Sequence, residues 1–373
     1  MEKTIKKNLD LSLLKKLIEI KSLSSNPQKC FKALKLIENK LVKKNIPCFI
    51  NQNNGFHYLI AGDINKADFL FLSHIDVING GTEQFKLKNN ENKLYGRGVL
   101  DMKGPLVAAL SAFVSLWKND FDNFLFVVTS DEEIGGFNGS SFLAQSVFPK
   151  IKIALIPDSI GEELVIIQKA PYHIRISSLG KTSHGSKPWE GVNALHNISQ
   201  CCISIVDKIN KNSPDKTSAA ITQINGGQST NTIPGEATAT LDIRILKQSE
   251  VKEIIRTINK LTKHWKCTWE NIDEPFFFIL STQNKFFRKW SEVYKKINKT
   301  NLKTKIEGAA SDARFLWQYL KIPVIITSVD GGGAHSKEEW ASIKSLEKLT
   351  KTIEEFCIKI QPPEGAGRLG NGL

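Results

Sequence analysis

The sequence lacks any long run of apolar residues. Its longest strictly apolar stretches, such as Phe276–Leu280, contain about five residues, whereas a membrane-spanning helix needs roughly 18 to 20. The basic start of the chain, Met1–Asp10, is not followed by an apolar core and a small-residue cleavage site, so a secretory signal is not predicted either. We therefore expect a protein that resides in the cytoplasm and has no membrane partner.

Cysteine is also scarce and irregularly placed. The chain has six cysteines among 373 residues, with no Cys-x-x-Cys pair and no regular spacing. A disulfide framework or a structural zinc site is typically built on such spacing. The thiols are therefore predicted to be reduced side chains of the core.

The positive charge of the chain is large, but it lacks the pattern of a nucleic-acid-binding surface. Lys and Arg number 51 against 38 acidic residues, which gives a formal net charge of +13. The lysines are spread along the whole chain, and no nucleic-acid-binding motif is visible. We interpret the excess as a solvated surface that attracts small anions, and we expect no nucleic-acid partner.

What the chain does have is the composition of a folded protein with more than one domain. The 41% of hydrophobic and 24% of charged residues are typical of globular proteins, and a single core seldom extends beyond about 250 to 300 residues. Two amphipathic helices are predicted between Leu9 and Leu41. Short apolar runs that alternate with helical patterns follow, and they predict an α/β fold with a mostly parallel sheet flanked by helices. The predicted elements are strands at Phe69–Ser73, Asn123–Ser130 and Ile151–Pro157 and a helix at Val107–Trp117.

The pattern changes near Ala170, where apolar and polar residues begin to alternate. Half-exposed strands with two helices predict an inserted α+β domain with a one-sided sheet, and the α/β pattern returns at about Phe276. The predicted division is 1–170 for the first part of the α/β domain, 171–275 for the inserted domain, 276–360 for the second part and 361–373 for a flexible tail. The further elements are strands at Thr217–Ile224, Ala237–Ile245 and Pro323–Thr327 and helices at Val192–Ile209, Ser249–Leu261, Phe286–Ile297, Ser311–Tyr319 and Ile343–Ile360.

Side chains that can bind metals occur where the predicted strands end or in glycine-rich loops. In open α/β sheets this carboxyl edge is where ligands bind. The sequence therefore predicts one site formed from several distant segments. Its candidate residues are His74, Asp76, Asp101, Glu132, Glu133, Asp158 and His335.

Imidazoles and carboxylates without a thiolate suit a pair of divalent ions, and a carboxylate such as that of Asp101 can bridge two ions. His74 and Asp76 share a face of an extended segment, so Asp76 can orient the imidazole ring. Glu132 and Glu133 are adjacent and point differently. One of them can bind a metal while the other acts as a general base in hydrolysis.

Six short motifs then occur in one order between His74 and His335. They are His74-Ile-Asp76, Gly-Arg-Gly-Val-Leu-Asp101-Met-Lys-Gly, Asp-Glu132-Glu133-Ile-Gly, Thr-Ser-His184-Gly-Ser, Asn231-Thr-Ile-Pro-Gly and Ala-His335-Ser. Together they resemble the dinuclear-zinc amidohydrolase family, which includes acetylornithine deacetylase, succinyl-diaminopimelate desuccinylase, aminoacylase and glutamate carboxypeptidase. The resemblance covers nearly the whole chain.

The resemblance implies a role for each matching residue. Two divalent ions are implied as cofactors, zinc first, with cobalt or manganese as alternatives. The implied ligands are His74 and Asp158 for one ion, Glu133 and His335 for the other, and Asp101 bridging both. Glu132 is then the base.

The resemblance also implies that the inserted domain is a lid through which the protein forms a homodimer. His184 would reach the active site of the neighbouring subunit and polarise the substrate carbonyl, while Asn231 and Arg244 would hold the substrate's carboxylate. Two alternatives stay open, because His184 can be a plain turn residue and Arg244 can simply pair with Asp242.

The implied reaction is hydrolysis of the amide bond of an N-acyl amino acid by a metal-bridged water. A dipeptidase or carboxypeptidase acting on short peptides is the alternative, because Gln168 and Lys169 stand where desuccinylases carry arginines, and His335 is followed by Ser-Lys-Glu-Glu-Trp. A non-catalytic binding protein is a third hypothesis, which predicts that the base or a ligand is lost. Both are present.

Overall fold

The computed structural model describes residues 9–148, 150–210, 213 and 215–361. The tail predicted at 361–373 lies outside these residues except for Gln361. Among the described residues, no helix combines the length and the apolar character required to cross a bilayer. The helices of this part of the chain are α1 Leu11–Glu19, α2 Pro27–Val42, α3 Lys103–Trp117, α4 Phe142–Ser146, α5 Ala194–Ile209, α6 Val251–His264, α7 Lys285–Asn298, α8 Ala313–Phe315 and α9 Ile343–Ile360.

The strands range from two to ten residues in length. They are β1 Cys48–Asn53, β2 Phe56–Ala61, β3 Phe69–His74, β4 Lys88–Asn90, β5 Lys93–Tyr95, β6 Phe124–Thr129, β7 Ile153–Ile156, β8 Leu164–Gln168, β9 Ala170–Leu179, β10 Ser183–His184, β11 Ser218–Gly226, β12 Thr232–Ile233, β13 Glu236–Ile245, β14 Cys267–Asn271, β15 Phe278–Ile279, β16 Thr304–Glu307, β17 Val324–Ile326, β18 Gly331–Gly332 and β19 Trp340–Ser342.

The described chain divides into two compact units. The first comprises the residues up to Ile166, then Leu280–Lys305 and the residues from Ser311 onward, and the second comprises Ile167–Ile279 and Ile306–Ala310. The main sheet of the first unit has the order β1-β2-β6-β3-β7-β17-β8. Its four central strands, β6, β3, β7 and β17, are parallel, and antiparallel strands extend it on both sides.

The central strands are apolar along their whole length because both faces of the sheet are covered. Every residue of β3, β6 and β7 is buried, as expected for a parallel sheet between helices. Helix α3 is buried along most of its length and packs against α9. The predicted α/β class is confirmed.

Helix α3 is also tied to α1 by a buried lysine. Lys103 is fully buried, and its Nζ donates hydrogen bonds to the carbonyl oxygens of Leu17 and Ile20, both at 2.9 Å. Burial lowers the pKa of this amine to about 7. The contact anchors the start of α3, which follows Asp101 and Met102 directly.

The second unit is an antiparallel sheet with helices on one side. Its strand order is β11-β13-β9-β14, and residues along β9 and β13 alternate between buried and more exposed positions. Helix α5 packs against β9, β11 and β13, and α6 packs against α5 and β14. This is the α+β architecture with a one-sided sheet that the alternation predicts.

Candidate metal centre

Three adjacent parallel strands bring the first group of candidate ligands to one edge of the sheet. His74 is the last residue of β3, Glu132 lies in a short 3-10 turn just after β6, and Asp158 follows β7 by two residues. Because β6, β3 and β7 are neighbours and run in the same direction, their carboxyl ends meet. One ligand atom from each of these side chains lies within 4.8 Å of the other two.

A second group of three side chains converges beside the first. Asp101 comes from the loop before α3, Glu133 from the same turn as Glu132, and His335 from the loop after β18. Their ligand atoms also lie within 4.8 Å of one another. His335 has a φ of 63°, in the left-handed region that a non-glycine residue seldom adopts.

Asp101 connects the two groups through its two carboxylate oxygens. One oxygen, Oδ1, lies 3.3 Å from Nε2 of His74, and the other, Oδ2, lies 3.0 Å from Nε2 of His335. The carboxylate of Glu133 is 3.1 Å from Nε2 of His335. Such a carboxylate between two imidazoles has the arrangement of a bridging ligand in a two-metal site.

Asp76 contacts residues of both groups. The Nδ1 atom of His74 lies 3.0 Å from the carbonyl oxygen of Asp76 and 3.3 Å from its Oδ1. The same carboxylate accepts the backbone N–H groups of Glu132 and Glu133 at 3.3 and 3.1 Å and the hydroxyl of Ser24 at 2.7 Å. It therefore orients the ring of His74 and holds the turn that carries both glutamates.

The electrostatics of the cluster favour the binding of positive charge. Burial, together with the neighbouring Asp158 carboxylate, raises the pKa of Glu132 well above its ordinary value. Burial and Asp101 raise the pKa of Asp158 to about 8. Burial also opposes ionisation of Asp101, but the neighbouring imidazoles of His335 and His74 outweigh it and lower its pKa.

The pKa values of the two histidines, His335 and His74, are also shifted. Hydrogen bonds to Asp101 and Glu133 raise the pKa of His335 to about 10. Burial opposes protonation of His74, but the carboxylates of Asp101 and Asp76 raise its pKa well above the ordinary value. The raised pKa values of Glu132, Asp158 and the two histidines favour protonated forms of these groups, and divalent cations would displace those protons on binding.

The residues fit a pair of divalent ions. All six converging side chains offer nitrogen or oxygen atoms and none offers a thiolate, a donor set that suits zinc, cobalt or manganese. Nε2 of His74 is buried and makes no hydrogen bond of normal geometry to any described residue. A buried ring nitrogen in this condition, with Nδ1 already engaged, is oriented as a metal ligand.

The structure places His184 and Asn231 together in the second unit. His184 lies opposite Thr232 in the β10–β12 pair, and its Nδ1 is 2.7 Å from the hydroxyl of Ser186. The side chain of His184 is exposed. The backbone carbonyl of Asn231 accepts the N–H of Gly185 at 2.6 Å, so the β10–β12 pair brings the two predicted residues close together.

Arg244 lies on β13 and forms a two-pronged ion pair with Asp242. Its Nε and Nη2 donate to the two carboxylate oxygens at 2.8 and 2.9 Å. Asp242 also lies 3.6 Å from Nε2 of His173, whose Nδ1 is 2.5 Å from Asp273. The alternative in which Arg244 pairs with Asp242 is therefore present in the structure, although Nη1 takes no part in that pair.

Further acidic residues near the centre were not among the candidates. Burial raises the pKa of Asp131 to about 7, and the neighbouring Asp312 carboxylate adds to the effect. Burial also raises the pKa of Asp312 to about 6. Asp131 accepts the N–H groups of Asn138 and Gly139 at 2.8 and 3.0 Å. Asp131 stands directly before Glu132 in the sequence, which is the signal that identifies it.

Comparison with known proteins shows the family that the chain matches. The sequence profile described as peptidase family M20/M25/M40 matches residues 70–359. Succinyl-diaminopimelate desuccinylase of Vesicomyosocius okutanii is 27% identical over 366 residues, covering 91% of this chain and 96% of that protein. The enzyme of the same name from Rickettsia bellii is 24% identical over 334 residues, covering 81% of this chain and 83% of that protein.

Solved structures show the same fold at lower identity. A tripeptidase from Staphylococcus aureus superposes with a TM-score of 0.80 at 20% identity, covering 95% of this chain and 98% of that one. A metallo-carboxypeptidase of the M20 family from Sulfolobus solfataricus superposes with a TM-score of 0.74 at 16% identity, covering 93% and 98%.

Proposed function

The chain belongs to peptidase family M20/M25/M40, and from that premise we propose that it hydrolyses the amide bond of N-acylated amino acids. It is a metal-dependent hydrolase of the amidohydrolase and metallopeptidase class. The observation that carries the proposal is the position of Asp101, whose two oxygens lie 3.3 and 3.0 Å from the ring nitrogens of two histidines in separate ligand groups.

The proposed ligand assignment follows the two groups. His74 and Asp158 would hold one ion, Glu133 and His335 would hold the other, and Asp101 would contribute to both. Two zinc ions suit this set, and cobalt or manganese is the alternative. Bound ions of this kind supply Lewis-acid chemistry, since they lower the pKa of water and polarise an amide carbonyl.

We assign Glu132 as the general base rather than a ligand. Its Oε2 lies 3.9 Å from Nε2 of His74, whereas Glu133 lies 3.1 Å from Nε2 of His335. Glu132 takes a proton from the attacking water and returns it to the leaving nitrogen. A carboxylate whose pKa is raised by burial suits both steps.

Residues of the second unit are proposed to bind the substrate. The exposed ring of His184 donates a hydrogen bond to the oxyanion that forms from the amide carbonyl. Asn231 and Arg244 hold the substrate's carboxylate, and Nη1 of Arg244 suits this role because its pair with Asp242 uses only Nε and Nη2.

Two substrate classes fit the comparisons. The curated relatives are named as desuccinylases, which favours an N-acyl amino acid. The solved neighbours are named as a tripeptidase and a carboxypeptidase, and this favours the alternative of a short peptide. A non-catalytic binding protein is disfavoured because Glu132 and the five proposed ligands are all present.

We further propose that the protein is a cytoplasmic homodimer that associates through the second unit. Strand β11 lies at the edge of its sheet with most residues exposed, and Leu179 and Trp189 are 74% and 77% exposed. An open strand edge and exposed apolar side chains each favour association. The six cysteines are free in the described chain, as expected for a reducing compartment.

The experiment that tests the function is a substrate panel. Release of free amine is measured from N-acetyl and N-succinyl amino acids and from dipeptides, with zinc or manganese added and Glu132→Ala run alongside. We expect turnover on at least one class, absent in the variant, and the preferred class decides between deacylase and peptidase. Substrate binding without turnover in wild-type protein that contains two ions would instead support the binding-protein hypothesis.

A further inference from the structure

A buried ion pair outside the two ligand groups joins the loops that carry Asp101 and His335. Arg97 and Glu339 are 3% and 1% exposed, and Nη1 of Arg97 lies 2.7 Å from Oε2 of Glu339. The two residues are far apart in the sequence. A buried pair of this kind has a large desolvation cost, so it is weak evidence for stability and calls for another explanation.

Glu339 reaches the Asp101 loop with its second oxygen. Oε1 accepts the backbone N–H of Leu100 at 3.0 Å and that of Asp101 at 3.2 Å. The backbone carbonyl of Glu339 also accepts the N–H of Gly96 at 3.2 Å. One carboxylate therefore fixes the main chain at the residue whose side chain faces both histidines.

Arg97 contacts the His335 loop through its second terminal nitrogen, Nη2. Nη2 donates to the carbonyl oxygen of Ser336 at 3.0 Å, and the side-chain amide of Gln84 donates to the same oxygen at 2.8 Å. Ser336 directly follows His335, whose side chain is 52% exposed and whose φ is positive. The guanidinium thus restrains the loop that carries His335.

We propose that the Arg97–Glu339 pair is a positioning device for the second ligand group, because it sets the distance between Asp101 and His335. The inference deepens the proposed function and rests on its metal assignment. Two of the three ligands in the group of Asp101, Glu133 and His335 depend on the pair. In the group of His74, Glu132 and Asp158, each residue instead ends or closely follows a central strand, and no hydrogen bond or ion pair of the described residues links its side chain to the pair. Loss of the pair therefore weakens the ion at His335 more than the ion at His74.

Glu339→Gln is the most direct test, because it replaces one carboxylate oxygen with an amide NH₂ group and keeps the size of the side chain. A carboxylate accepts hydrogen bonds on both sides, whereas an amide accepts on one side and donates on the other. The amide NH₂ group of the glutamine then faces either Arg97 or the backbone N–H groups of Leu100 and Asp101, all of which are hydrogen-bond donors. The matched control is Glu338→Gln, the same substitution at the exposed neighbouring position.

The measurement is zinc binding to metal-free protein, followed by competition with a chromogenic chelator and by metal content after dialysis. Wild type and Glu338→Gln are expected to bind two ions. Glu339→Gln is expected to bind the ion of the His335 group about 10- to 100-fold more weakly, the range found when a hydrogen-bond partner of a metal ligand is removed. The ion of the His74 group, which shares only Asp101 with the pair, is expected to be weakened less.

Arg97→Lys provides a second variant in case Glu339→Gln does not fold. A lysine keeps the positive charge beside Glu339, but one ammonium lacks the fork that spans Glu339 and Ser336. We expect weaker binding of the same ion. Folded variants that bind both ions as tightly as wild type, or that lose both equally, would overturn the inference. Failure of wild type to bind zinc at all would instead overturn the proposed function, and the inference with it.

Discussion

Glu132 and Glu133 are neighbours in sequence with different surroundings, and this difference is the basis of a test at the residue scale. Glu132→Gln removes the proposed base while keeping the shape of the side chain, so kcat is expected to fall by about 10²- to 10⁴-fold. Metal content should stay at two ions per chain. The measurement is steady-state kinetics on the preferred substrate together with elemental analysis of the same sample.

Glu133→Gln is the matched variant for that experiment. Its carboxylate lies 3.1 Å from Nε2 of His335, so the neutral amide is expected to release the ion of that group and to lower activity through metal loss. Added zinc should then restore part of the activity of Glu133→Gln and none of that of Glu132→Gln. The opposite pattern would show that Glu132 is the ligand and Glu133 the base.

The sequence identifies residues whose surroundings are set locally and misses those set by distant contacts. His74 and Asp158 are recognisable because each follows an apolar strand, and neighbouring parallel strands end at one edge. Lys103 offers no such signal, since its partners Leu17 and Ile20 lie 86 and 83 residues away. Glu339 is similar, because its partner Arg97 is 242 positions distant.

At the element scale, periodicity predicts most helices and central strands within a few residues of their observed bounds. Helix α9 spans Ile343–Ile360 as predicted, because its apolar face is continuous. The β1–β2 hairpin is missing from the prediction, since β1 alternates exposed and half-buried residues and is rich in Asn and Gln. The helix predicted at Ser311–Tyr319 is instead a short α-turn and a π-helical turn, Ala313–Phe315 and Leu316–Leu320.

His173 joins three strands of the second unit and gives that unit a pH dependence. It lies on β9 opposite Asp242 of β13, and Asp273 follows β14. Hydrogen bonds to Asp242 and Asp273 raise the pKa of His173 from 6.5 to about 9. The stabilisation by the protonated ring is therefore complete below about pH 6.5 and is lost as the pH rises through about 9.

The variant His173→Gln isolates this contribution. Its unfolding free energy is expected to lie below that of wild type by roughly 1 to 2 kcal/mol at pH 6, allowing for solvent screening of a partly exposed pair. The difference should shrink toward pH 10. Chemical denaturation of both proteins between pH 6 and 10 measures it, with His196→Gln at an exposed position of α5 as the control. A difference that is constant with pH would contradict the role of protonation.

At the scale of the whole molecule, the proposal that His184 acts across a dimer interface predicts complementation between two inactive proteins. His184→Ala and Glu132→Ala are each expected to lack activity as homodimers. In a mixed dimer, one site combines the intact Glu132 of the first variant with the intact His184 of the second, so activity should return to at most half of the wild-type value per dimer. Subunit exchange is followed separately with differently tagged chains. Exchange without any recovery would show that His184 serves its own subunit or none, whereas activity in His184→Ala alone would remove it from the mechanism.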